Sequence, residues 1–280
     1  MSTLCQIRRH IASRLAEAGN QESESIARLL LADTLNLSLT DIFVKSDLTL
    51  DKDTESHLET CLNRLLSGEP LQYVVGSTVF CGLTLAVGQG VLIPRPETEE
   101  LVGWVVSDLN KKGQGRVVDL CTGSGCIALS IKHLLPQMSV CGVDVSSVAL
   151  AYAQRNATTL SLDVSFTQAN ILDPNYSLPT NVSVVVSNPP YVRMSEAAEM
   201  SSVVLDNEPH EALFVPDTDP LIFYRLIGRL CVSAHADFYA EVNEAFATEL
   251  VSLLTTMGFC SVEVRQDFTG RPRMIRCLIS

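Results

Sequence analysis

The chain has 280 residues, of which 46% are hydrophobic and 19% are charged, so it contains enough apolar material for one or two globular cores. Its formal net charge of −12 argues against a nucleic-acid substrate, because binding to phosphates requires clustered lysine and arginine, and it favours either a basic protein partner or simple solubility. No apolar stretch approaches the ~18 residues of a membrane span and no secretory leader is evident, so we expect a cytoplasmic protein that binds no membrane.

Residues 1–71 predict a small helical domain. Apolar side chains recur every three or four positions from Ile7 to Leu66, which indicates about four helices. Up to residue 70 the acidic side chains outnumber the basic ones by 11 to 7, which again disfavours nucleic acid. Two roles remain open for this domain: recognition of a protein substrate, and packing against the rest of the chain.

Residues 72–94 predict a β-hairpin linker. The alternating runs Tyr73–Phe80 and Leu83–Val87 flank Cys81-Gly82, and alternation around a glycine turn is typical of a hairpin. Pro96 is then expected in the first turn of a helix, where its missing N–H is not needed.

Residues 116–144 predict a nucleotide-binding crevice. A β-branched strand ends at Asp119, and a Gly-rich turn from Cys121 to Gly125 leads into a helical pattern, so a ligand can approach the backbone at a helix N-terminus. A second strand ends at Asp144, whose carboxylate suits ribose hydroxyls. The turn lacks the third glycine of the G-x-G-x-x-G fingerprint of dinucleotide folds, and Asp119 suits a cationic sulfonium better than a pyrophosphate. S-adenosylmethionine is therefore favoured over NAD, with a plain tight turn as the alternative.

Strand and helix patterns alternate along the rest of the chain and predict an α/β fold. The two last strands, joined by the turn Thr269–Pro272, are expected to be antiparallel, which is typical of seven-stranded class I S-adenosylmethionine-dependent methyltransferases. We therefore predict a Rossmann-like methyltransferase domain over residues 95–280. Its elements after Asp144 are helices at 147–159, 221–234 and 244–257, strands at 164–168, 182–187, 238–242, 261–265 and 274–279, and a polar loop at 192–220 that could cover the acceptor site.

The tetrapeptide Asn188-Pro189-Pro190-Tyr191 follows an apolar strand and predicts a clamp for a planar –NH2 group. The Asn188 side-chain oxygen and the Pro189 carbonyl form a pair of acceptors, the prolines restrict the backbone, and Tyr191 offers an aromatic wall. An adenine, a cytosine or a carboxamide each presents such a group. The alternative is a structural Pro-Pro turn.

Four segments carry recognisable motifs, at Gly68–Tyr73, Gly90–Leu101, Asp119–Gly125 and Val186–Tyr191. Their order resembles that of the PrmC/HemK family, the peptide-chain-release-factor N5-glutamine methyltransferases, over nearly the whole chain. The resemblance implies methyl transfer from S-adenosylmethionine to the side-chain nitrogen (N5) of the glutamine in the Gly-Gly-Gln motif of class 1 release factors, with S-adenosylhomocysteine as product. It also favours substrate recognition by residues 1–71. A DNA or RNA amino-methyltransferase and a non-catalytic partner-binding protein with the same fold are the alternatives.

The residue patterns and the resemblance together assign the candidate site. Cys121 stands where methyltransferases often have glycine, and we expect it to be tolerated at a negative φ. Asn170 stands where many relatives carry an acidic residue near the adenine. The predicted catalytic residues are Asn188, Pro189, Pro190 and Tyr191; the predicted cofactor-binding residues are Cys121, Thr122, Gly123, Ser124, Gly125, Asp144, Asn170 and Asn188; the predicted substrate-binding residues are the four catalytic ones with Arg95 and Glu97.

No metal site is predicted, because the five histidines lack ligand spacing. The nine cysteines, odd in number and without a C-x-x-C pair, are expected to be reduced. No dedicated catalytic base is expected, since a methylated amide nitrogen loses its proton readily. We expect a monomer that contacts release factors and does not bind nucleic acid directly.

Overall fold

A computed structural model describes residues 1–111 and 113–280, and within these residues the chain divides into two units. One comprises Met1–Ser77 and Ser201–Asn207, and the other comprises Thr78–Met200 and Glu208–Ser280. Each unit has its own hydrophobic core. No described helix is both long enough and apolar enough to cross a membrane.

The helices of the first unit begin where polar side chains cap their N-termini. Thr3 and Gln6 form a reciprocal capping box, Ser38 and Asp41 form a second, and Asp51 accepts a hydrogen bond from a backbone N–H in the first turn of its helix. Leucine and isoleucine side chains on the inner faces form the core. The helices are α1 (Leu4–Glu17), α2 (Ser23–Leu35), α3 (Leu39–Val44), α4 (Lys52–Leu66) and α5 (Leu71–Val75), with α9 (Ser202–Asn207) joining them from later in the chain.

The start of the predicted hairpin is helical instead of extended, so the strand prediction from Tyr73 was wrong. Helix α5 forms because Pro70 provides its N-cap and Gly76, at φ +79°, ends it in the left-handed conformation. A helix of five residues is too short to show a helical period in the sequence.

The hairpin itself is confirmed, with β1 (Ser77–Phe80) paired to β2 (Leu83–Ala86). Both turn residues, Cys81 at φ +48° and Gly82 at φ +76°, adopt the positive φ that a type I′ turn requires.

The second unit alternates helices and strands, as the residue pattern predicts. Pro96 occupies the first turn of its helix, as expected. The helices are α6 (Pro96–Leu109), α7 (Cys126–Leu134), α8 (Ser147–Leu160), α10 (Ile222–Ala234) and α11 (Ala247–Thr256); the strands are β3 (Arg116–Leu120), β4 (Ser139–Asp144), β5 (Val164–Gln168), β6 (Val184–Ser187), β7 (Val192–Arg193), β8 (Phe214–Val215), β9 (Asp237–Glu241), β10 (Ser261–Gln266) and β11 (Pro272–Leu278).

Within the described chain, one seven-stranded sheet has the order β10-β11-β9-β6-β3-β4-β5. The strands from β9 to β5 in this order are parallel, whereas β11 is antiparallel to both of its neighbours. Val184 and Val186 face one core and Val185 faces the other, because both faces of a parallel sheet are covered. The predicted α/β methyltransferase sheet with an antiparallel tail is confirmed.

The order of strands changes direction at β3. The chain passes from β3 to β4 and β5 on one side, and β6 then lies on the other side of β3. Loops leaving the carboxyl ends of β3 and β6 therefore diverge, and such a switch point is where α/β sheets bind ligands. Leu120 pairs with Ser187 at the ends of these strands, so the Gly-rich turn and the tetrapeptide that starts at Asn188 meet at one crevice.

The segment 192–220 contains more structure than the predicted loop. Strands β7 and β8 pair in parallel, and α9 and short 3-10 turns lie between them in sequence. The strands have two residues each, so the sequence shows no alternation there.

Candidate active site

A cavity of about 400 Å3 opens at the switch point between β3 and β6. Its size and its largely apolar wall with a few converging polar groups are typical of a small-molecule site. Ile171 and Leu172 contribute apolar surface, while Asp144, Asn170 and Asn188 contribute polar side chains. This arrangement fits a nucleoside with a polar substituent.

Nine of the predicted site residues lie in the wall of this cavity, and four lie outside it. The wall includes Arg95, Cys121, Thr122, Gly123, Ser124, Asp144, Asn170, Asn188 and Pro190, whereas Glu97, Gly125, Pro189 and Tyr191 do not line it.

The Gly-rich turn is held by backbone hydrogen bonds and by positive φ angles. Cys121 has φ +60°, so the expectation of a negative φ there was wrong. The chain has to leave β3 and enter α7 within five residues, and left-handed conformations at Cys121, Gly123 and Gly125 achieve this reversal. The N–H of Thr122 donates to the carbonyl of Val143 at 3.0 Å, which ties the turn to β4.

Gly125 is required for packing, and its predicted contact with the cofactor stays a prediction. It has φ +81° at the N-cap of α7, and a Cβ on it would lie 3.1 to 3.2 Å from Leu129, Phe166 and Ala153. Gly123, in contrast, has open space around the position of a Cβ and lines the cavity.

Asp119 is a buried residue whose hydrogen bonds hold the Gly-rich turn in place. Its Oδ2 accepts hydrogen bonds from the Thr122 hydroxyl and from the N–H of Ala128, and no described residue bonds to its Oδ1. The side chain is fully buried, and this burial raises the pKa of Asp119 to about 7. The expected contact of this carboxylate with a sulfonium is not supported, since Asp119 lies outside the cavity wall.

Asp144 lies at the end of β4 and borders the cavity. Its Oδ2 accepts from the N–H of Gly123 at 2.8 Å and its Oδ1 from the N–H of Ser146 at 2.9 Å. Burial raises the pKa of Asp144, while these backbone donors oppose the rise. Each carboxylate oxygen has a further lone pair that can accept a ligand hydroxyl.

Asn188 follows directly on β6. The hydroxyl of Ser187 donates to the Leu120 carbonyl at 2.6 Å and joins the ends of β6 and β3. The Asn188 Nδ2 donates to the Thr98 hydroxyl oxygen at 3.2 Å. Its Oδ1 is thus the polar atom that Asn188 can present to the cavity.

Tyr191 lies outside the wall of the cavity. Its hydroxyl donates to Glu241 Oε1 at 2.7 Å, and its ring packs against the core that contains Tyr224 and Ile227. Its predicted role as an aromatic wall of the acceptor site stays a prediction.

The motif patterns missed Thr98 and Glu241. The Thr98 hydroxyl donates to Glu241 Oε2 at 2.7 Å, and both residues are buried. Thr98 lies within the motif that also contains Arg95, and Glu241 ends a fully buried strand with a charged residue. The only sequence signal that could have identified Glu241 was a carboxylate at the carboxyl end of a buried strand.

Arg95 forms an ion pair at the cavity with Glu208, at 2.6 Å. The Glu208 side chain is almost fully buried and also accepts from the N–H of Ile93 at 3.1 Å. These bonds fix the start of the segment 209–216, parts of which line the cavity. Among residues 1–111 and 113–280, no group of histidine, cysteine and acidic side chains is arranged to hold a metal ion.

Comparison with known proteins gives matches along both units. The model of the PrmC N-terminal domain matches residues 6–76, and that of the methyltransferase small domain matches residues 103–207. The release factor glutamine methyltransferase of Flavobacterium psychrophilum is 40% identical over 262 residues, which cover 91% of this chain and 92% of that protein. The corresponding protein of Bacteroides thetaiotaomicron is 38% identical over 258 residues, with the same shares covered.

Among solved structures, the hMettl16 catalytic domain in complex with MAT2A 3′UTR hairpin 6 matches with a TM-score of 0.56 at 16% identity, over 82% of each chain. At this identity the likeness concerns the fold alone, which is that of a methyltransferase domain.

Proposed function

The chain belongs to the release factor glutamine methyltransferase family, and we propose that it methylates the side-chain nitrogen of the glutamine in the Gly-Gly-Gln motif of class 1 peptide chain release factors, with S-adenosylmethionine as methyl donor. The observation that carries the proposal is the position of Asn188. It stands at the switch point beside a nucleoside-sized cavity, with its Nδ2 engaged elsewhere and its oxygen available.

The cavity residues suit the cofactor. S-adenosylmethionine supplies a methyl group on a cationic sulfonium. We assign the ribose hydroxyls to Asp144 and the adenine edge to Asn170, with the apolar side chains of Ile171 and Leu172 beside the base. Gly123 has no side chain to restrict the approach of the ligand to the turn.

The methyl acceptor is the side-chain amide of the glutamine, and its low reactivity is the main obstacle to the reaction. An amide nitrogen is a poor nucleophile, because its lone pair is delocalised into the carbonyl. Asn188 Oδ1 and the Pro189 carbonyl would accept the two N–H groups of the glutamine, which orients the nitrogen and polarises its bonds. Proton loss after methyl transfer requires no dedicated base. We place Arg95 and Pro190 beside the acceptor, since both line the cavity.

The first unit is proposed to recognise the release factor. It has its own core, and it matches the PrmC N-terminal domain. The acidic net charge suits a basic protein surface and disfavours phosphate backbones. Nine free cysteines suit a reducing compartment, so we place the reaction in the cytoplasm.

A labelling experiment tests the proposal. The full chain is incubated with methyl-labelled S-adenosylmethionine and, in separate reactions, with a release factor, with the same factor whose Gly-Gly-Gln glutamine is replaced by asparagine, with duplex DNA and with an RNA hairpin. Label should enter only the intact factor, and peptide mapping should locate it on that glutamine. Label in either nucleic acid but not in the factor would contradict the proposal.

The role of Asn188 has a test of its own. Asn188→Ala should lower single-turnover methylation by roughly two orders of magnitude while S-adenosylhomocysteine affinity stays nearly unchanged, by comparison with the loss of one preorganised polar group. Asn188→Asp, which keeps an acceptor oxygen, should fall between Ala and wild type. Wild-type turnover of Asn188→Ala would refute the clamp.

A further inference from the structure

A buried chain of hydrogen bonds starts at Asn188 and passes through Thr98, which also lines the cavity, to Glu241. Asn188 Nδ2 donates to Thr98 Oγ1 at 3.2 Å, Thr98 Oγ1 donates to Glu241 Oε2 at 2.7 Å, and the Tyr191 hydroxyl donates to Glu241 Oε1 at 2.7 Å. Thr98 is 1% exposed and Glu241 is 2% exposed. The first turn of α6, the end of β9 and the turn after β6 thus meet at one polar cluster.

The direction of these hydrogen bonds follows from counting protons. An ionised Glu241 can only accept, so Thr98 and Tyr191 each give it their single hydroxyl proton. Thr98 Oγ1 then has no proton left and can only accept from Asn188. The group of Asn188 that faces Thr98 must be the –NH2, whichever way the amide is first assigned. The Asn188 carbonyl oxygen is thereby turned to the opposite side.

We propose that Thr98 and Glu241 are positioning residues that fix the polarity of the Asn188 carboxamide, so that its oxygen and not its –NH2 meets the –NH2 of the acceptor glutamine. The inference rests on the proposed function of Asn188. A flipped carboxamide would set a donor against the donors of the substrate, and buried donors without acceptors are costly.

The charge of Glu241 is essential to this arrangement. A protonated Glu241 could donate to Thr98, and Thr98 could then donate to the Asn188 oxygen and stabilise the flipped amide. On balance the pKa of Glu241 is raised above its ordinary value, because burial outweighs the hydrogen bonds from Thr98 and Tyr191 and the guanidinium of Arg273 on β11, while Glu97 on α6 adds to the rise. Arg273 therefore helps to keep Glu241 ionised.

Two substitutions at Thr98 separate polarity from shape. Thr98→Val keeps the size of the side chain and removes the hydroxyl, while Thr98→Ser keeps the hydroxyl. In the full chain with saturating cofactor, Thr98→Val should lower the single-turnover rate on release factor by roughly tenfold to a hundredfold, because small errors in the position of an acceptor cost that much. Thr98→Ser should retain most of the rate, and both variants should bind S-adenosylhomocysteine as wild type does.

Double variants test whether Thr98 acts through Asn188. In the Asn188→Ala background, Thr98→Val should cause no further loss, because the residue it orients is gone. The –NH2 of Glu241→Gln can donate to one of the partners of Glu241, so the single-turnover rate of this variant should be about as low as that of Thr98→Val. Combining the two substitutions should cause no further loss of rate.

The outcomes distinguish this inference from the proposed function. A wild-type rate for Thr98→Val beside an impaired Asn188→Ala would overturn the inference alone. An equal loss from Thr98→Val in both backgrounds, or a Thr98→Ser variant as slow as Thr98→Val, would overturn it as well. A wild-type rate for Asn188→Ala would overturn the clamp and, with it, the role of Thr98 and Glu241.

Discussion

Asp144→Ala tests the carboxylate at the end of β4. The native side chain accepts from the backbone N–H groups of Gly123 at 2.8 Å and Ser146 at 2.9 Å, and it lines the cavity. Alanine removes a charged acceptor from both N–H groups and from the proposed ribose hydroxyls. Hydrogen bonds to charged groups contribute about 1.5–3 kcal/mol each, and water molecules that bond to the freed donors in the cavity recover part of this free energy. We therefore expect S-adenosylhomocysteine to bind more weakly by about 2 kcal/mol, roughly thirtyfold.

Calorimetry of the full chain with S-adenosylhomocysteine measures this loss. Asp163→Ala is the matched control, because it removes one exposed negative charge just before β5. Strand β5 is parallel to β4, so Asp163 lies at the opposite end of these strands from Asp144. The control should bind as wild type does. Unchanged affinity of a folded Asp144→Ala variant would remove Asp144 from the cofactor site.

A cofactor analogue separates the ribose role of Asp144 from its role in the turn. S-adenosylhomocysteine lacking a ribose hydroxyl should bind wild type more weakly, by about fivefold or more, because the Asp144 carboxylate would lose one ligand donor. Asp144→Ala should bind the analogue and the parent compound equally. If loss of the hydroxyl costs the same affinity in both proteins, Asp144 acts only by holding Gly123, and the ribose assignment is refuted.

Three further predictions concern stability and domain roles. Burial raises the pKa of Asp119 to about 7, and an unfolded aspartate titrates near 4, so the native state holds this proton more tightly. The resulting stabilisation is complete below about pH 4 and is lost as pH rises through about 7. In urea unfolding, the free energy of unfolding of Asp119→Asn should therefore fall less between about pH 5 and pH 8 than that of wild type. A fall equal to that of wild type would contradict this. Gly142→Ala would place a Cβ 2.7 Å from the Phe166 ring and should lower the free energy of unfolding by about 1–3 kcal/mol, whereas Gly103→Ala, with open space on an exposed helix position, should not lower it. Deletion of residues 1–71 should preserve S-adenosylhomocysteine affinity, since the cavity wall belongs to the other unit, and should impair methylation of intact release factor; full activity would assign the deleted residues a packing role.

The position of the candidate site could be predicted because its two motifs each follow a buried strand. Residues at the ends of neighbouring parallel strands share one edge of the sheet, so Cys121 and Asn188 meet although they are far apart in sequence. The patterns of single segments were sufficient for this step. They were also sufficient for the first turn of α6, where Pro96 can stand without a hydrogen bond to donate.

Backbone conformation in the turn was not predictable from residue type. Left-handed φ costs a non-glycine residue roughly 1–2 kcal/mol, so Cys121 was expected at a negative φ. The reversal from β3 into α7 imposes φ +60° on it, and the bonds of Thr122 to Val143 and of Gly123 to Asp144 hold the neighbouring residues. The strain is local, while the contacts that stabilise it come from the end of β4.

The orientation of the Asn188 carboxamide depends on residues that belong to no common sequence motif. The two ends of a carboxamide have nearly the same shape, so packing around Asn188 cannot choose between its oxygen and its –NH2. The choice requires a neighbour whose own proton is already committed, and Thr98 meets this condition only because Glu241, 143 positions further along the chain, accepts that proton. The Asn-Pro-Pro-Tyr tetrapeptide therefore predicts which groups contact the substrate, whereas the order of strands β6 and β9 in the sheet brings in the acceptor that orients the Asn188 carboxamide.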